Sequence, residues 1–213
     1  MSVTGALIAL NVLAYLWLSA TGNPGSTASL VAHGALYPPL VTRDGQWWRI
    51  VSGAFLHVSL VHIGLNMFAL FQVGRFVEML VGKWRTLLMY AVAMLGSGFA
   101  VVIFSPNVVT VGASGAIFGL FGALVAIGLG LGPRGRSLIA QTIPIIVLNL
   151  LFGVAVPNIS NAAHLGGLVS GFLIGALVFA LRRRPPTALV VDAATGSRNE
   201  AELLPPEDDL IRR

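Results

Sequence analysis

Apolar residues do not scatter along this chain; they gather into six long runs separated by short polar breaks. The runs cover 2–20, 54–81, 85–104, 113–131, 138–156 and 162–181. The breaks fall at 21–49, 82–84, 105–112, 132–137 and 157–161, and each contains Gly, Pro, Asn or Ser, residues that end helices. Runs of about 20 residues match the length a helix needs to cross a bilayer core about 30 Å thick. The expected fold is therefore an all-α, polytopic bundle of six membrane helices over 1–184. The segment 185–213 mixes Pro, Gly, Ser and acids without a sustained period, and reads as a disordered extension.

Composition supports that class. Of 213 residues 56% are hydrophobic and 10% charged, mean hydropathy is +0.86, and there are 25 glycines. Membrane helices use glycine to bring backbones close together. The first run has no Lys or Arg ahead of its apolar core, which argues against a cleaved signal peptide. The chain has no cysteine, which removes disulfides, thiolate nucleophiles and Cys-ligated metals.

A net charge of +5 and a pI near 10.7 would suggest nucleic acid in a soluble protein. Here the charges have another use. Residues 1–184 carry ten Lys and Arg against two acids, a balance of +8, whereas 185–213 carry three against six, a balance of −3. Lys83 and Arg85, Arg134 and Arg136, and Arg182, Arg183 and Arg184 all flank breaks on one side of the bundle, while the first break holds only Arg43 and Arg49. Positive residues stay in the cytoplasm. Both termini are therefore expected inside, in the plasma membrane, and no nucleic-acid partner is expected. In the first break, Trp47 and Trp48 beside Arg49 suit a segment at headgroup depth.

Polar groups inside a membrane helix are costly, and they mark functional sites. His62 and Asn66, four residues apart, share a face of the second run; Ser114 opens the fourth and His164 the sixth. Those three runs all enter from outside, so the polar residues sit at one level. Each alone has a plain structural explanation, because a membrane Ser bonds back to a carbonyl and a His bonds across helices. Together they suggest a use. Gly167, Gly171 and Gly175 continue the face of His164, and Gly112, Gly115, Gly119 and Gly122 accompany Ser114, so these two helices can approach closely; generic packing explains the stripes equally well.

A serine at a helix N-terminus lies where backbone N–H groups and the positive dipole end favour negative charge. A histidine in contact can take its proton and later return it to a leaving amine. The Ser114 N–H, His62 and Asn66 are candidate donors to the resulting oxyanion. Glu78 lies about 24 Å along the helix from His62, near the opposite face, and reads as a structural partner for Arg75 or a loop. Asp44 sits in the outer loop with no spacing that ties it to the site. A Ser–His dyad is the simpler reading. With no Cys and only these two carboxylates in the core, neither a metal nor another cofactor is expected.

At these residues the chain resembles the rhomboid family of intramembrane serine proteases. The match runs through Trp48-Arg49, His57 with His62 and Asn66, Glu78, Gly112-Ala113-Ser114-Gly115, and His164 with Gly167 and Gly171. The resemblance implies the six-helix bacterial core, Ser114 as nucleophile, His164 as base, and His62 with Asn66 at the oxyanion. It also implies that Phe118, four residues after the serine, packs on the base where some members have Tyr. Substrates would be single-span membrane proteins with small, helix-destabilising residues near the cut, cleaved near the outer face. The rival within the family is a catalytically inactive chaperone or sorting factor, which usually lacks the serine or the histidine. A small transporter is disfavoured, because the polar groups cluster at one side. Trp48 and Arg49 read as structural, His57 as packing or loop hydrogen bonding, and His33 as solvated. Oligomeric state is left open.

Overall fold

The structure is a computed structural model that describes residues 2–155, 159–181, 187–191 and 198–202. Its first unit, Met1–Ala180, is helical. Helix α1 covers Val3–Thr21. The following segment carries three short helices, α2 (Thr27–Ala32), α3 (Pro38–Thr42) and α4 (Arg49–Ser52), then a 3-10 turn at Gly53–Phe55. Four longer helices come next: α5 (Leu60–Val81), α6 (Lys83–Phe104), α7 (Ser114–Gly130) and α8 (Arg136–Ala155). Helix α9 (Asn161–Ala180) closes the unit. Among the described residues five segments are long and apolar enough to cross a membrane, and α7, with 17 residues, is a shorter apolar helix.

Two boundaries differ from the sequence expectation. The second run begins in the sequence at 54, yet α5 starts only at Leu60, where the Ser59 hydroxyl caps it by accepting from the His62 N–H at 3.1 Å. Residues 56–59 are a non-helical link. The first break is not a plain loop. Arg49, buried in it, donates from Nη1 to the carbonyls of Val31 (2.8 Å) and Ala35 (3.0 Å) and from Nε to Gln46 Oε1 (2.6 Å). One guanidinium thus satisfies a carbonyl in the last turn of α2 and another in the segment that follows, and fixes α4 beside them.

Glu78 has Arg75 as an electrostatic neighbour, as expected, but its hydrogen bonds go to a distant helix end. Its carboxylate accepts from the backbone N–H groups of Val3 and Thr4, each at 2.9 Å, and from the Thr4 hydroxyl at 2.7 Å. It therefore caps the N-terminus of α1 from 74 residues away, where unpaired N–H groups and the dipole favour an anion. Glycine at position 82 has φ +82°, so α5 can end and α6 begin one residue later.

Helix α7 is the centre of the bundle, packed between α6 and α9 and also touching α5 and α8. Small residues make that possible. A side chain at Gly167 or Gly171 would collide with the backbone of Gly115 or Gly119, and one at Gly175 would come within 2.6 Å of the Ala123 Cα. The same glycines also face α6, Gly119 against Ala93 and Gly115 against Ser97, so α6, α7 and α9 meet one another there. The stripe read from the sequence is the α7–α9 interface.

In the second unit, Leu181–Arg213, Thr187–Val191 and Arg198–Glu202 pair as an antiparallel two-stranded ribbon. Such a pair is marginal by itself. The remainder of the segment expected to be disordered lies outside the described residues.

Candidate active site

Ser114 is the first residue of α7, so its own N–H and the next ones have no partner within the helix. Its hydroxyl is 3.0 Å from Nε2 of His164, fifty residues later on α9. The glycine contacts explain how two helix backbones come close enough for that distance. His164 is buried, and its ring lies flat on Phe118, with centroids 4.1 Å apart and an interplanar angle of 5°. Phe118 stands four residues after Ser114, one turn along the same helix, so Ser114 and the surface that steadies His164 come from one rigid element.

The second nitrogen of His164, Nδ1, is buried and has no hydrogen-bond partner among the described residues. No carboxylate orients this imidazole there. Stacking does it instead, fixing the plane of the ring without adding charge. If Nε2 is to accept the serine proton, the ring's own proton must sit on Nδ1.

His62 and Asn66 project from α5 into the same cavity, which holds about 660 Å³ and is also lined by Ser114 and His164. The Asn66 amide donates one N–H back to the His62 carbonyl at 3.0 Å, which leaves its second N–H for another acceptor. The backbone at Gly112 has φ +118°, and any side chain there would come within 2.9 Å of Cε1 and Nε2 of His62. Glycine at 112 is thus what admits the His62 ring beside the strand leading into Ser114. That strand is held by Gly112 N–H donating to the Gly53 carbonyl at 3.0 Å and by a two-bond bridge between Leu36 and Thr110.

Other residues fall in unexpected places. His33 is half-buried rather than solvated: Nδ1 lies 2.7 Å from the Ser29 carbonyl, Nε2 lies 3.1 Å from the Thr21 hydroxyl, and Trp17 meets its ring edge-on at 5.0 Å. His57 is fully buried and touches His62, with centroids 4.9 Å apart at 63°. The sequence missed Met94, Ser97 and Gly98 of α6 and Asn149 and Phe152 of α8, all of which line the cavity. None carries a spacing signal, because lining a cavity requires only that a residue be opposite, not that it be periodic. Among the described residues no three His, Asp or Glu side chains converge as a metal site would require.

A family model described as Rhomboid domain matches residues 44–181. Rhomboid protease GluP of Bacillus subtilis (strain 168) is 40% identical over 178 residues, covering 81% of this chain and 34% of its own length. RHOMBOID-like protein 1 of Arabidopsis thaliana is 34% identical over 160 residues, 74% of this chain and 41% of its own. Putative rhomboid protease YdcA of the same Bacillus is 35% identical over 147 residues, 66% of this chain and 72% of its own. The chain thus spans about a third of the first relative and two fifths of the second.

Proposed function

This chain belongs to the rhomboid family and is a multi-pass membrane protein, and on that premise we propose that it is an intramembrane serine endopeptidase acting on transmembrane segments of other proteins through a Ser114–His164 dyad. The observation that carries the reading is the 3.0 Å contact between the Ser114 hydroxyl and His164 Nε2, at a helix N-terminus in a largely apolar cavity that His62 and Asn66 also line. A generic interhelical bond needs neither that cavity nor a ring stacked on an aromatic face.

The steps follow from the atoms present. Ser114 Oγ attacks the peptide carbonyl while its proton passes to His164 Nε2. The carbonyl oxygen becomes an oxyanion, for which the Ser114 N–H, the His62 ring and the second Asn66 N–H are the donors. The imidazolium then protonates the departing amine, and the C–N bond breaks to leave an ester on Ser114. Water loses a proton to His164, attacks that ester, and releases the acid and the serine hydroxyl. A substrate helix must unwind locally before its carbonyl can meet Oγ, since in a helix that oxygen is already paired. Small, helix-destabilising residues near the cut make this easier.

The site opens toward the extracytoplasmic face of the plasma membrane, with both termini in the cytoplasm. The basic residues Lys83, Arg85, Arg134 and Arg136 at the opposite ends of the helices support that orientation. Reporter fusions after Lys83 should read as cytoplasmic and fusions at Pro106 as external; the reverse would turn the site inward.

The decisive substitution is Ser114→Ala. It removes one hydroxyl and leaves no replacement nucleophile, so cleavage of a single-span model substrate by purified protein should vanish while thermal unfolding stays unchanged. Wild-type cleavage by the folded variant would sink the Ser114–His164 dyad, whereas no cleavage by the unsubstituted protein would leave the non-catalytic reading.

A further inference from the structure

The His62 ring lies between two surfaces: the Gly112 backbone on one edge and the buried ring of His57 on the other. His57 precedes α5, in the non-helical link at 56–59, so its position owes nothing to helix periodicity. Its Nδ1 is 3.3 Å from the Phe55 carbonyl, two residues back. A carbonyl oxygen can only accept, so Nδ1 carries the proton and Nε2 is a bare acceptor. That Nε2 is buried without a hydrogen-bond partner among the described residues, and so is Nδ1 of His62. Two adjacent imidazoles each leave a buried nitrogen unpaired, an arrangement that costs stability. A hydrocarbon side chain at position 57 would avoid half of the cost. What an aliphatic residue would not supply is a flat ring against His62, here tied at one edge to the Phe55 carbonyl.

We propose that His57 is a positioning residue for the oxyanion site: tied to the Phe55 carbonyl, its ring is the wall that holds His62 edge-on against Gly112, so that the Cε1–Nε2 edge of His62 faces the strand leading into Ser114. The proposal rests on the reading of His62 as an oxyanion donor. The spacing His57–His62 is thus a two-part device, in which one histidine faces the reaction and the other sets its angle. Small misplacements of a catalytic donor cost disproportionately in rate, whereas the oxyanion donor acts mainly in the transition state and contributes little to substrate affinity.

The test is a double-mutant cycle on the purified full chain, read with a fluorogenic single-span model peptide in detergent. His57→Ala should lower kcat about tenfold and move KM less than twofold. His57→Phe keeps a flat ring beside His62 and should recover most of that loss. In a His62→Ala background, His57→Ala should cost less than a further twofold, because there is no donor left to position. Thermal unfolding of each variant separates lost folding from lost rate. If His62→Ala is itself fully active, the oxyanion reading of His62 falls and this proposal with it. If His62→Ala is slow but His57→Ala costs the same tenfold in either background, His62 keeps its role and His57 is structural only. A folded His57→Phe protein as slow as His57→Ala would likewise overturn the positioning role.

Discussion

Helices α7 and α8 are sequence neighbours and both apolar, yet they are held in different ways. Twelve of the 17 residues of α7 are buried, against Thr142 and Ile146 in the 20 residues of α8. Helix α7 meets α9 through bare backbone, whereas α8 presents Leu148 and Leu151 outward and carries Pro144 within its length. In water an apolar exposed face would be a liability. In lipid it is neutral, because acyl chains are as apolar as leucine, and cohesion comes from close packing of small residues. The two helices that carry Ser114 and His164 are joined through glycine backbone, so the Ser114–His164 distance is set by backbone-on-backbone contact.

The strongest way to break that contrast is Gly171→Leu. The new side chain would meet the Gly119 backbone, which has no way to move aside without displacing α7. Overpacking of this kind costs about 1–3 kcal/mol, and more where the neighbour is backbone. The melting temperature should fall by several degrees or more and cleavage should be lost, although Gly171 lies about 10 Å along α9 from His164. Near-normal activity would show that the spacing of Ser114 and His164 does not depend on the glycine interface.

A smaller effect separates the dyad from its packing. Phe118→Leu keeps most of the apolar volume, so stability should change by less than about 1.5 kcal/mol. The flat surface under His164 is lost, and the imidazole gains freedom to rotate away from Ser114. The expectation is a fall in kcat of about tenfold with KM little changed, and recovery in Phe118→Tyr. Equal turnover in the leucine variant would mean that the glycine interface alone holds the ring.

Much of this was legible in the apolar pattern. The long helices follow from runs and breaks, and the convergence of Ser114 and His164 follows from topology once the basic residues assign the sides. What was not legible came from partners far apart or from places where periodicity does not apply. Glu78 caps α1 across 74 residues, and no local pattern announces such a partner. A helix running from 54 would put His57 on a different face from His62. Since α5 starts at Leu60, the five-residue spacing to His62 is not a helical spacing, and the two rings touch. The short helices α2, α3 and α4 are set by Pro38, the Ser26 cap and the Arg49 anchor, not by amphipathic repeats.

The smallest expected effect lies on α8 and is Leu148→Ala. Leu148 is 67% exposed on a helix whose outer face meets lipid. In a soluble core, truncating leucine costs about 2–5 kcal/mol, through lost transfer energy and the cavity left behind. Neither loss applies here, because an acyl chain fills the space at little cost and the leucine was as well solvated by lipid as by protein. Alanine is also the better helix former. Thermal unfolding in lipid nanodiscs should therefore agree with the unsubstituted protein to within about 0.5 kcal/mol, and turnover should be unchanged. A drop comparable to that of Gly171→Leu would mean that the outer face of α8 is packed against protein, and that the contrast between the two helices is not one of lipid against backbone.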